Sequence, residues 1–188
     1  MTYIELKGKK IPLIYTTYEM KVIQEEIGQI SRAISLVTGR NPDDDKDKTR
    51  FASAEHIGNV AKMIRILGNA GLEENGEEPN LTEKAILRAL RPSDLANAIN
   101  ICMEAMNDGM RSEIPTEAEK PGTKVDVTLE EIEKKKRDGK LTYLMVVSWG
   151  LIAGLSLKEV NRMKPGEVLD LYIYRRNYDD IQNGIMRG

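Results

Sequence analysis

Six apolar residues, Met20, Ile23, Ile27, Ile30, Ile34 and Val37, follow one another at spacings of 3, 4, 3, 4 and 3. Such spacing lines side chains up on one side of an α-helix, and its alternation of threes and fours is the seam of a coiled coil. The stretch predicts one long amphipathic helix. Thr16 and Glu19 form a capping box at its start, and Gly39 is a natural C-terminal cap. Gly28, inside the stretch, weakens it by about 1 kcal/mol relative to Ala.

Upstream of this helix the period changes to two. Tyr3, Glu5 and Lys7 point one way and Ile4 and Leu6 the other; after Gly8, Ile11, Leu13 and Tyr15 form a second set. Two alternating runs about a Lys-Gly-Lys tip predict a β-hairpin. Pro12 cannot donate to a ladder, so the second strand should lie at an edge there. A lone hairpin is marginal in water and needs a helix or strand against it.

Helical patterning returns downstream. A second helix is expected from about Ala52 to Asn69, burying Ile57, Val60, Met63, Ile64 and Leu67, with His56 at its start as a surface or cap histidine. Residues 72–80 read as an acidic loop. Thr82 can cap a short helix burying Ile86, Leu87 and Leu90, which Pro92 ends. Ser93 and Asp94 open the next helix, with Leu95, Ile99, Cys102, Met103 and Met106 inward. Met103, Met106 and Met110 make a stripe at helical spacing. Core packing is the plain reading, and an adaptable partner surface is the other, because thioether chains fit varied apolar shapes.

Residues 112–127, with Pro115, Pro121 and Gly122 among scattered charges, make the best linker. They divide the chain into residues 1–111 and 128–188. Thr128 and Glu131 form a second capping box, followed by a charged helix with Glu130/Lys134, Glu131/Lys135 and Glu133/Arg137 pairs. Its Lys134–Arg137 cluster reads as a solvated face. Gly139 breaks that helix. Leu141 to Ala153 is the most apolar stretch and predicts a buried helix too short to span a membrane. Gly154 ends it. Ser156 and Glu159 cap a short helix with Leu157 and Val160 inward. Pro165 starts the last helix, which turns Val168, Leu169, Tyr172 and Ile173 inward and frays after Tyr178. The expected fold class is mainly α: a helical domain with an N-terminal β-hairpin, plus a small C-terminal helical domain.

Composition narrows the function classes. Lys and Arg total 28 against 30 Asp and Glu, for a net charge of −2, which argues against a general nucleic-acid binder. One Cys and one His exclude a zinc site built from several such ligands within one chain. The lone thiol suits a reducing compartment. No apolar run reaches the length of a bilayer span and no secretory signal is visible, so a soluble, cytoplasmic protein is expected. The Asp43-Asp44-Asp45 run lacks the glycine turn and distal glutamate of a calcium loop and reads as a solvated acidic loop. Cys102 sits on an apolar face with no neighbouring base and reads as packing. There is no Gly-rich phosphate loop and no nucleophile–base pairing. No catalytic, cofactor-binding or metal-ligating residue is assigned, no cofactor is expected, and the chemistry points to binding rather than catalysis.

Two motifs carry a resemblance. A hairpin with Gly8, Lys9 and Leu13, feeding a helix that ends on Glu25, Glu26 and Gly28, resembles the N-terminal part of tail assembly chaperones of long-tailed bacteriophages and prophages. Trp149-Gly150-Leu151, Gly154-Leu155-Ser156-Leu157 with Glu159, and Met163 with Pro165-Gly166-Glu167-Val168, Asp170 and Leu171 are similar to the downstream segment of that family. In the family this segment often arises by programmed ribosomal frameshifting, and Lys134-Lys135-Lys136 near the junction could be encoded by a slippery A-rich run; a single uninterrupted reading frame would serve equally. The resemblance implies a non-enzymatic chaperone, in the cytoplasm of a bacterial host, that binds the helical tape measure protein before the tail tube polymerises around it. The tail tube protein is a second candidate partner, and self-association is open. Neither nucleic acid nor membrane is implied as a partner. Ile23, Ile27, Ile30, Met103, Met106, Met110 and Trp149 are the candidate partner-binding residues. Competing readings are a structural tail component or connector and, on the strength of Arg162, Lys164, Arg175 and Arg176, a DNA-binding regulator.

Overall fold

The chain opens as a two-stranded antiparallel hairpin, β1 (Thr2–Leu6) and β2 (Lys9–Leu13), with Ile4 opposite Ile11 and Leu6 opposite Lys9. Lys7 and Gly8 form the turn, both at positive φ (51° and 80°). That is the primed geometry whose twist matches the strands. The computed structural model describes residues 2–38, 54–113 and 127–186. Ile4, Leu6, Ile11 and Leu13 are buried, while Tyr3 and Glu5 are exposed, as the alternation requires.

The missing cover for the hairpin is α3 (Ala54–Glu74), the longest helix of the N-terminal half. The Ile14 amide donates to the Leu67 carbonyl at 3.1 Å. Gly71 lets the helix come this close: a Cβ there would lie 2.1 Å from the carbonyl oxygen of Pro12. Val60, Met63, Ile64 and Leu67 are fully buried, and Ile57 is half-buried. The helix runs past Asn69 to Glu74, so the first residues of the expected acidic loop are helical and Leu72 packs in the core.

The single helix expected from Thr16 to Gly39 is two helices, α1 (Thr17–Glu26) and α2 (Ile30–Thr38). Gly28 sits at φ +131°, a region closed to side-chain-bearing residues, and ends α1 rather than merely weakening it. Both helices face the same core, so Met20, Ile23, Ile30 and Val37 are buried across the break. A periodicity that survives a kink cannot report it. Thr16 and Glu19 do form the capping box at the start of α1. Gly39, residues 40–50 with the aspartate run, Ala52 and most of the linker lie outside the described residues.

Thr82 caps α4 (Glu83–Ala89) by accepting from the Ala85 amide. Ile86 is buried, but Leu87 is exposed and Leu90 half-buried, so the short helix presents a narrower apolar stripe than expected. A 3₁₀ turn at Pro92–Asp94 leads into α5 (Leu95–Met110). His56 is buried rather than on the surface. Its Nε2 lies 2.7 Å from the Val37 carbonyl, so that nitrogen carries the proton and ties the start of α3 to the last turn of α2.

Helices α6 (Val127–Arg137), α7 (Tyr143–Ile152), α8 (Leu157–Arg162) and α9 (Pro165–Met186) complete the chain. Residues 1–111 and 128–188 share one apolar core: Ile132, Val146, Trp149, Val160, Val168 and Ile173 are contiguous with Met20, Ile64 and Met106. The Ser156–Glu159 capping box is present. Glu133 pairs with Lys136 at 3.4 Å, three residues on, and the side chains of Thr128 and Arg137 are outside the described set. α9 continues to Met186 where fraying after Tyr178 was expected.

The largest departure concerns α7. Val146, Val147, Trp149 and Gly150 are buried, and Trp149 stacks on Tyr172 with ring centroids 6.0 Å apart. The opposite side of the helix is bare: Leu144, Leu151 and Ile152 are 72, 54 and 58% exposed. The expected buried helix is covered on one side only. Leu157, expected inward on α8, is 50% exposed.

Candidate partner-binding groove

Packing of α2 beside α5 leaves a groove of about 560 Å³, closed at one end by the turn between α6 and α7. Its apolar lining is Ile30 and Ile34 from α2, Met103, Met106 and Met110 from α5, and Leu141. Glu104, Asn107 and Lys136 are among its polar lining. The two stripes that the sequence singles out separately thus meet in one place. Met103, Met110 and Ile34 are only partly buried, which leaves thioether and aliphatic surface within reach of an incoming side chain.

Other candidate residues lie elsewhere or are consumed by folding. Ile23 is completely buried in the common core, and Ile27, at the end of α1, is half-buried against it. Trp149 is packed against Tyr172. Ile30 and Met106 line the groove but lie almost wholly in the core, so they shape its floor rather than offer a free face. The physical reason is shared: an apolar stripe meets the core first, and only its margin is left for a partner. Ile34 and Leu141 also line the groove but are not among the candidate partner-binding residues. Ile34 belongs to the same seam as Ile30, and Leu141 opens the most apolar stretch, so each had a signal but none that distinguished groove from core.

Asp108 and Arg111, at the end of α5, belong to this groove and also to a neighbouring cleft of about 440 Å³ that includes Lys164, Glu167 and Asp170. The Lys164 ammonium lies 2.9 Å from Asp108 and holds its carboxyl below the usual range. Three of the four cations that suggest DNA binding are engaged with neighbours of their own, and the fourth, Arg162, is exposed at the end of α8. Lys164 pairs with Asp108, Arg175 pairs with Asp179 at 3.3 Å, and the Arg176 guanidinium lies 5.8 Å from the Tyr172 ring centroid.

The remaining perturbed groups serve packing. Burial pushes the Cys102 thiol up to about 12 and holds it protonated. Glu19 is raised by burial although it accepts from the Thr16 amide at 3.1 Å. The Tyr15 hydroxyl is buried and raised, first by desolvation and then by the nearby Glu19. Among the described residues no group of three or more His, Cys, Asp or Glu is placed to hold a metal ion, and no helix is long and apolar enough to cross a membrane. Comparison of the chain with protein-family models, with curated proteins and with solved structures gives no match.

Proposed function

We propose that this chain is a non-catalytic assembly factor of the tail assembly chaperone kind, which holds apolar side chains of an amphipathic helical partner in the α2–α5 groove. The tape measure protein is the partner that the resemblance names, and the cytoplasm of a bacterial host is the compartment the reading requires. One observation carries it: Met103 and Met110 are partly accessible along α5 and line one groove with Ile34. An amphipathic helix lays anchors at positions i, i+3, i+4 and i+7 into such grooves, and Met side chains adapt to whichever anchors arrive. Weak individual contacts can repeat along a long target.

The test is co-expression of the tagged chain with the long helical protein encoded beside it. Under this reading the long protein becomes soluble only in the presence of the chain and co-purifies with it. If the long protein is unaffected and nothing co-purifies, the reading fails. Deletion of residues 128–188 would strip part of the common core, so point substitutions in the groove are the informative variants. A second reading, a structural tail component or connector, is favoured by the bare side of α7. It predicts that the chain is retained in finished particles, where a chaperone is absent.

A further inference from the structure

The α5 wall of the groove carries two ridges side by side. Met103, Met106 and Met110 make the apolar one, and Glu104, Asn107 and Arg111 follow each of them by one position. The second ridge therefore runs along the edge of the first and is polar throughout. Four charged residues line the groove: Glu104, Asp108, Arg111 and Lys136. Two are answered within the chain, Asp108 by Lys164 at 2.9 Å and Lys136 by Glu133 at 3.4 Å. Glu104 and Arg111 are exposed, and neither side chain has a hydrogen-bond or ion-pair partner among the described residues. Arg111 acts on Asp108 from beyond that range. The ridge is thus negative at one end, compensated in the middle and positive at the other end. Seven residues, about 10 Å, separate the two open charges.

The positive end is anchored. The Glu113 amide donates to the Asp170 carboxylate at 3.0 Å, and the Ser112 hydroxyl donates to the same carboxylate. On the other side the Arg111 carbonyl lies so close to Gly166 that a Cβ there would meet it at 2.0 Å. The backbone that carries the guanidinium is fixed before any partner arrives, which lowers the ordering cost of using it.

On the reading that an amphipathic helix fills this groove, we propose that the helix carries one base and one acid seven residues apart on one flank of its apolar stripe. The base meets Glu104 and the acid meets Arg111. Two helices that pack at a shallow angle stay in step over two turns, so a spacing of seven on α5 is matched by seven on the partner. A flank with two acids or two bases meets one like charge and is disfavoured. A second copy of the chain fits less well, because at this place it offers a groove rather than a ridge.

The test uses the full chain and three synthetic amphipathic helices with the same leucine stripe. Their two flank positions hold Lys and Glu, Lys and Lys, or Glu and Glu. By fluorescence anisotropy at low salt, the wild type should bind the Lys/Glu peptide about threefold or more tighter than either like-charged peptide. Glu104→Lys should shift the preference to the Glu/Glu peptide, and Arg111→Glu to the Lys/Lys peptide. Both sites are exposed, so helical circular dichroism should be unchanged. High salt should level the differences. Peptides that bind equally, with Met103→Glu abolishing all three, overturn the charge pattern and leave the groove standing. So does a preference that neither single reversal moves. Peptides that do not bind, or that bind Met103→Glu as well as the wild type, overturn the groove and the charge pattern together. A chain that sediments as a dimer, dissolved by Glu104→Lys and indifferent to the peptides, assigns the groove to a second copy and overturns both as well.

Discussion

The backbone amide and the hydroxyl of Thr17 both donate to the carbonyl oxygen of Met163, at 2.9 and 3.0 Å. This pair joins the first turn of α1 to the turn between α8 and α9, across nearly the whole length of the chain. Thr16 adds a bond from its hydroxyl to the Asn161 carbonyl at 3.0 Å. Gln24, further along α1, donates to the Leu141 carbonyl at 3.3 Å and accepts from the Tyr143 amide at 3.1 Å. Through these bonds α1 clasps the C-terminal half at two places, with the shared core between them. Thr17→Val keeps the shape and the amide bond but leaves Met163 with one donor fewer. A loss of about 1 kcal/mol is expected, read as a lower midpoint in urea with an unchanged slope.

Two glycines on α3 separate helix propensity from packing. At Gly71 an added methyl group meets the Pro12 carbonyl at 2.1 Å, so the hairpin must move. At Gly58 nothing lies within 4 Å. Gly58→Ala should therefore stabilise by up to about 1 kcal/mol, from helix propensity alone. Gly71→Ala should lose that gain and destabilise by about 1–3 kcal/mol. Thermal melts of the two variants, side by side, check the sign of each. Equal shifts would show that α3 does not rest on the hairpin in this way.

Cys102 offers a readout of alkaline stability. Its thiol rises to about 12 in the fold, whereas a free thiol titrates near 8.5. The fold therefore favours the protonated form. The linked stability is fully present below about pH 8.5 and is lost progressively as the pH climbs toward 12, where the unfolded chain gains the thiolate first. Tyr15, raised in the same direction, adds to the loss at still higher pH. Urea midpoints should fall from pH 8 to pH 11, and the fall should be smaller in Cys102→Ala. At pH 8 a thiol reagent should modify the native chain only as fast as it opens.

The groove itself can be tested without a change in the core. Met103 and Met110 are partly accessible, so Met103→Glu and Met110→Glu place a carboxylate in the groove with a modest effect on folding. Each should weaken capture of the helical partner about tenfold or more, equivalent to about 1.4 kcal/mol or more. Met103→Leu should retain most of it. Pull-down with titrated partner distinguishes these outcomes, and equal capture by all three variants would place the binding surface elsewhere.

Short-range chemistry made much of this architecture legible. A capping box involves residues three apart, and the Lys7–Gly8 turn joins neighbours, so Thr16 with Glu19, Ser156 with Glu159, Thr82 and the hairpin could all be read from the chain. Apolar periodicity likewise marked which faces of α3, α5 and α9 turn inward. Periodicity states that a face is apolar; it does not state what covers it. Whether α7 is enclosed or half-bare depends on how many helices reach it, and among the described residues its main neighbours are α1, α8 and α9. The break at Gly28 leaves no mark on the periodicity because both halves of the seam return to the same core. The meeting of Ile30 and Ile34 with Met103, Met106 and Met110 joins residues some seventy positions apart, and no local rule links them. Burial is a property of neighbours, and those neighbours are chosen by the packing of the whole chain.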